Sequence, residues 1–154
     1  MSTTLILIAL TCAVSFTAMN NPKMIDALIL WPPAISRKKE YYRLLTYGLI
    51  HADFMHLLFN MVTLYFFGRV TESFYTDVLG PFGFASFYVG GLLASILPTY
   101  YKHRDDSQYY SLGASGAVSA VLFAFILFAP WSTIYIYVLP VPAIIYAVLY
   151  VAYS

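Results

Sequence analysis

The sequence predicts an all-α membrane protein, a bundle of packed transmembrane helices, and three observations carry that expectation. Of its 154 residues, 61% are apolar or aromatic and only 10% are charged, with a mean hydropathy of +0.75. A soluble domain carries roughly a quarter of its residues as charges, so this chain has too little polar surface to cover a water-facing globule. The apolar residues gather into five stretches, each near the roughly 20 residues that cross ~30 Å of hydrocarbon. The 15 tyrosines and 12 phenylalanines cluster near the ends of those stretches and in the long first loop, where interfacial anchors belong. The lipid bilayer is therefore the expected partner. A net charge of +1 and the lack of a long Lys/Arg block exclude nucleic acid.

Taken in order, the first span covers about 3–19. No Lys or Arg precedes Lys23, so the basic n-region of a cleaved signal peptide is missing and a retained helix is expected. Residues 20–50 hold Pro22, Trp31, Pro32, Pro33 and the run Arg37-Lys38-Lys39. They are too broken and charged to span, and their aromatics suit a segment lying in the membrane interface. The second span, about 54–70, closes on Arg69 and Glu72. The third covers about 81–100, and a polar loop follows over 101–110. The fourth covers about 113–129 and stops at Pro130. Within it Gly116, Ala120 and Ala124 recur every fourth residue, a small-residue stripe that lets helix backbones approach closely in lipid. The fifth is expected over 133–153, kinked at Pro140 and Pro142. Residues 1–154 form a single domain on this reading. The lone Cys12 can form no intramolecular disulfide.

Polar groups are costly inside a membrane, so places where they gather are informative. His56 and Asn60 stand four residues apart and share a helix face, and His51 lies at or just before that helix start. Taken singly, each group could simply satisfy an interhelical hydrogen bond. The second gathering is Ser111-Leu112-Gly113-Ala114-Ser115-Gly116, opening the fourth span. A serine at a helix start lies beside free backbone N–H groups that can bind developing negative charge. Neighbouring glycines leave room for a substrate backbone. On its own, Gly-x-Ser-Gly is better explained by capping and packing.

The combination His-x-x-x-x-His-x-x-x-Asn on one span and Gly-x-Ser-Gly two spans later resembles the rhomboid intramembrane serine proteases. Arg43, eight residues before His51, stands where that family has the arginine of its Trp-Arg loop motif. Glu72 matches an acidic residue at the inner end of the second helix. The broken stretch before His51 looks like the family's membrane-lying first loop. The resemblance implies Ser115 as nucleophile, and His56 and Asn60 assisting the Ser115 N–H at the oxyanion. It implies His51, Gly113 and Gly116 shaping the site, and Arg43 and Glu72 as structural groups. It also implies a rhomboid-like bundle of six core spans, of which about five are expected here. The implied activity is endopeptidase cleavage of transmembrane protein substrates through an acyl-serine. No metal or organic cofactor is implied.

The pattern breaks at the base. A serine hydroxyl needs an adjacent base, which the family supplies from a sixth helix within Ala-His-x-x-Gly, and no histidine follows His103. Three explanations stand open: a chain truncated at its C-terminus, a catalytically silent protein that binds transmembrane helices, or His103 itself as base. The 154 residues alone are expected to be inactive. Ser119 is a second departure, standing where the family commonly has a tyrosine. The basic residues lie almost wholly in the first and third loops, which by the positive-inside tendency would be cytoplasmic. The resemblance puts those loops outside. A multi-pass position in a bacterial inner membrane is the expected location.

Overall fold

The computed structural model describes residues 2–136 and 138–153, and it is mostly helical. Helices run α1 (Thr3–Met19), α2 (Pro22–Leu28), α3 (Pro32–Lys38), α4 (Arg43–Thr46), α5 (Phe54–Leu79), α6 (Gly83–Lys102), α7 (Ser115–Phe128) and α8 (Ala143–Tyr153), with a 3₁₀ turn at Tyr47–Leu49. Local chemistry sets many of these limits. Pro22 opens α2 after Asn21, whose side chain accepts from the Met24 N–H. Pro32 and Pro33 open α3, which stops at Lys39 in the left-handed region. The Asp53 side chain accepts the His56 N–H at 2.8 Å and starts α5. Gly80, at φ 81°, ends it.

Helix α7 is the centre of the bundle, packed between α5 and α6, while α1 lies along α5. Leu57, Leu64, Phe84, Tyr88, Leu92, Ala117 and Val121 form the core. The expected small-residue stripe lies at the α6–α7 crossing. A Cβ on Gly91 would sit 2.8 Å from the Ala120 Cβ, and one on Gly116 2.5 Å from the Ser95 Cβ.

Helix α1 is inside-out relative to a water-soluble helix. Thr4, Thr11 and Ser15 are buried, whereas Leu5, Ile6, Leu10 and Phe16 are exposed. Helix α5 likewise exposes Phe59, Phe66, Val70 and Val78. Apolar groups facing out and hydroxyls facing in fit a hydrocarbon surround. By length and composition, α6 alone among the described residues is a clear span. The Arg43–Leu49 and Phe54–Leu79 pair qualifies jointly but is bent by 96°.

Several expectations need correcting. The second helix does not stop near residue 70 but continues to Leu79. Its internal charges have partners: Arg69 lies over the Tyr65 ring, and Glu72 accepts from the Ser2 hydroxyl and the Thr3 and Thr4 N–H groups. Glu72 thus caps the positive end of α1 rather than closing its own helix. The stretch 133–153 is not one helix. Thr133–Ile136 and Leu139–Pro142 pair as an antiparallel hairpin, Ile134 opposite Val141 and Tyr135 opposite Pro140, and only Ala143–Tyr153 is helical. Pro140 and Pro142 lack the N–H a helix interior needs, so they break the helix rather than kink it. The first loop, expected as a broken stretch in the membrane interface, is built largely of short helices.

Candidate active site

Ser115 is the first residue of α7 and is exposed. The N–H groups of its first turn have no intrahelical acceptor. The approach to it is built from the first loop. Leu30 and Ser111 exchange both backbone hydrogen bonds, at 3.0 and 3.2 Å. The Gly113 N–H then donates to the Tyr47 carbonyl at 2.9 Å, and the Tyr47 hydroxyl donates to the Leu92 carbonyl on α6. These pins fix the four residues before the serine. Gly113 has φ 112°, a backbone shape that side chains disfavour. A Cβ there would also lie 2.7 Å from His56 Cε1 and 3.0 Å from its Nε2. The glycine is what lets the His56 ring lie against this turn.

His51 is buried and uses both ring nitrogens. The Ala114 N–H donates to Nε2 at 3.3 Å, so that nitrogen carries the lone pair and Nδ1 the proton. Nδ1 lies 3.0 Å from the Ser15 Oγ, whose own hydroxyl donates to the Leu49 carbonyl at 2.8 Å. The chain Ala114 N–H, His51, Ser15, Leu49 ties α1 and the loop to the residue beside Ser115. The His51 and His56 rings meet edge to face with centroids 4.9 Å apart. Asn60, one turn on, is buried and donates through Nδ2 to the His56 carbonyl at 2.9 Å, leaving its second amide hydrogen uncommitted. Asn60, Ser115 and Ser119 line one cavity of about 160 Å³ with Phe59, Thr63, Val118, Leu122 and Tyr146. A larger cavity of about 550 Å³, lined by Val62, Phe66, Thr133 and Tyr135 among others, shares Thr63, Leu122 and Tyr146 with it.

Ser115, Gly113, His51, His56 and Asn60 therefore gather at one end of the bundle. Gly116 faces away, against Ser95 of α6. Arg43 and Glu72 stand apart from the cluster. The nearly buried Arg43 donates to Glu40 at 2.6 Å and to the Asp26 and Ile29 carbonyls at 2.7 and 2.8 Å. It closes the C-terminal end of α2, and its guanidinium holds the Glu40 carboxyl below the usual carboxylate range. His103 lies in the third loop, beside Asp106 and stacked on Tyr109. Among the described residues no group of acidic, histidine or cysteine side chains could hold a metal ion. Sequence reasoning did not find Ser15 or Tyr47. Ser15 had a signal, since Thr4, Thr11 and Ser15 fall on one face of an otherwise apolar helix. Tyr47 meets the turn before Ser115 through its backbone carbonyl, which leaves none.

The chain is 31% identical over 121 residues to "RHOMBOID-like protein 12, mitochondrial" of Arabidopsis thaliana, covering 68% of this chain and 34% of that protein. It is 32% identical over 98 residues to "Putative rhomboid protease YdcA" of Bacillus subtilis (strain 168), covering 60% of this chain and 46% of that one. The chain thus spans between a third and a half of the curated relatives it matches. The Rhomboid domain family matches residues 38–154, from the last turn of α3 through the histidine cluster and Ser115 to α8, and on that match the chain belongs to the rhomboid family.

Proposed function

We propose that these residues carry the nucleophile and oxyanion half of an intramembrane serine endopeptidase that cuts transmembrane segments of other membrane proteins. The observation that carries the reading is the gathering at the start of α7, where Ser115 and Asn60 line one cavity and His56 lies against the Gly113 turn just before the serine. Helix α7 has 14 residues and extends only about 21 Å, short of the ~30 Å hydrocarbon. With Phe128 at one boundary, Ser115 lies below the other, at the depth of a substrate's own helix. In the proposed reaction Ser115 Oγ attacks the scissile carbonyl carbon while its proton passes to a base. The resulting oxyanion accepts hydrogen bonds from the Ser115 N–H, the second amide hydrogen of Asn60 and the His56 ring. The C–N bond then breaks, the amine leaves with the proton, and water hydrolyses the acyl-serine.

The base is proposed to come from outside residues 1–154, and these residues alone are proposed to be inactive. His51 has its lone pair committed to Ala114, and His103 is committed to Asp106 in the third loop. That same observation favours a second reading, a catalytically silent rhomboid protein that binds transmembrane helices. We place the protein as a multi-pass chain of a bacterial cell membrane, supported by the bundle and the Bacillus relative. The experiment is cleavage of a reporter transmembrane substrate in proteoliposomes by the full protein that contains these residues. Cleavage is expected, with loss of at least about 10³-fold in Ser115→Ala. Unchanged cleavage in that variant removes Ser115 as nucleophile. No cleavage by the parent, with retained substrate binding, selects the silent reading.

A further inference from the structure

The fold assembles a concentrated positive surface that the proposed chemistry does not use. Arg37, Lys38 and Lys39 close α3, and Lys102 and Arg104 lie at the end of α6 and in the loop beyond it. All five are exposed. The two segments, some 65 residues apart in sequence, are joined directly. The Trp31 indole N–H donates to the Ser107 carbonyl at 3.3 Å, the Ser36 hydroxyl donates to the Arg104 carbonyl at 3.4 Å, and Trp31 stacks on Tyr110. Lys38 Nζ lies 5.7 Å from the centre of the Trp31 ring. None of the five has an ion-pair partner among the described residues. The neighbouring acids offset them only in part: Glu40 is paired with Arg43 and also feels the charge of Lys38, and Asp106 is paired with His103. The opposite end of α5 carries Arg69, Glu72 and Asp77, a net negative set.

Exposed Tyr41 and Tyr42 follow α3 closely, exposed Tyr101 precedes Lys102, and exposed Tyr110 stacks on Trp31. Amphipathic rings at this level mark the headgroup zone, and unpaired Lys/Arg in that zone attract anionic lipid at about a fivefold gain per charge. We infer that this surface binds the headgroups of anionic phospholipids and so holds the entrance to Ser115 at a fixed depth. An acidic peptide would satisfy the charges but leaves the exposed tyrosines beside them unexplained, so the lipid surface is the occupant the observations favour. The inference concerns lipid binding and stands whether or not the protein cuts substrate.

Trp31 and Trp131 make the test internal, with any tryptophan of the full protein outside residues 1–154 replaced by phenylalanine. The full protein is reconstituted in phosphatidylcholine vesicles containing phosphatidylglycerol, with bromine on the acyl chains of one lipid or the other. In Trp131→Phe the remaining Trp31 reports on the basic surface; in Trp31→Phe the remaining Trp131 reports on the far end of α7. Bromine on phosphatidylglycerol is expected to quench Trp31 about threefold more than its bulk share predicts and Trp131 in proportion to that share. The enrichment is expected to vanish in Arg37→Gln/Lys38→Gln/Arg104→Gln and to persist in Lys38→Arg/Lys39→Arg. Proportional quenching at both positions overturns the inference. So does an enrichment abolished by inorganic phosphate beyond the effect of sodium chloride at equal ionic strength, which assigns a free-phosphate site instead. Enrichment unchanged in the charge-removing variant, with its melting behaviour intact, overturns it as well.

Discussion

At the scale of single residues, Gly113 carries the tightest requirement. Its φ of 112° disfavours any side chain, and a Cβ would collide with the His56 ring. Backbone strain of this kind costs about 1–3 kcal/mol, and the collision must also push His56 off the turn before Ser115. Gly113→Ala is therefore expected to unfold earlier in a denaturant titration and to lose cleavage by more than its stability loss explains. Gly90→Ala is the control, since a Cβ there meets nothing within 4 Å. It should be neutral or stabilising by up to about 1 kcal/mol, as in any helix interior. How much of the site was legible follows from the same residues. Spacing alone put His56 and Asn60 on one face and Ser115 at a helix start. The partners that hold them, Ser15 through a hydroxyl and Tyr47 through a carbonyl, act across 36 and 66 residues of sequence. No local pattern records such pairs.

At the scale of elements, helices were legible where nothing but lipid and packing decides them, and misread where charges or prolines intervene. Arg69 and Glu72 looked like a helix end because unpartnered charges would be. Within the fold a tyrosine ring and the N-terminus of α1 satisfy them, and α5 runs on. Pro140 and Pro142 looked like kinks, yet the chain there pairs with its neighbour as a strand. The small-residue stripe of α7 read correctly, because close helix approach needs small side chains at fixed spacing. It also yields a quantitative test. In Gly91→Ala the new methyl meets the Ala120 methyl at 2.8 Å, and α6 and α7 must move apart. Overpacking of this kind costs about 1–3 kcal/mol. Adding Ala120→Gly removes the opposing methyl, so the double variant should recover most of that loss. Equal losses in the single and double variants, read from unfolding in mixed detergent, would dissociate the stripe from the crossing.

At the scale of the whole molecule, charge and family membership disagree about which way the protein faces. Seven of its eight Lys and Arg residues, all but Arg69, lie at the Ser115 end, and the positive-inside tendency counts such charges as cytoplasmic. That tendency describes free loops, whereas most of these residues belong to short helices pinned to one another and to the loop after α6. Arg43 is buried against Asp26 and Ile29, and Trp31 and Ser36 tie α3 to the loop after α6. A segment held in the headgroup zone by its own folded contacts and by anionic lipid meets its charge requirement where it lies. The prediction is that the Ser115 end faces outward. In a Cys12→Ser background, a cysteine replacing Lys38 should react with a membrane-impermeant maleimide added to intact cells. One replacing Asp77, exposed near the opposite end of α5, should react only after permeabilisation. Arg69 is the poorer probe, because α5 continues ten residues beyond it to Leu79. The reverse labelling pattern would mean that charge overrides the family layout, and that substrates would have to meet Ser115 from the cytoplasmic side.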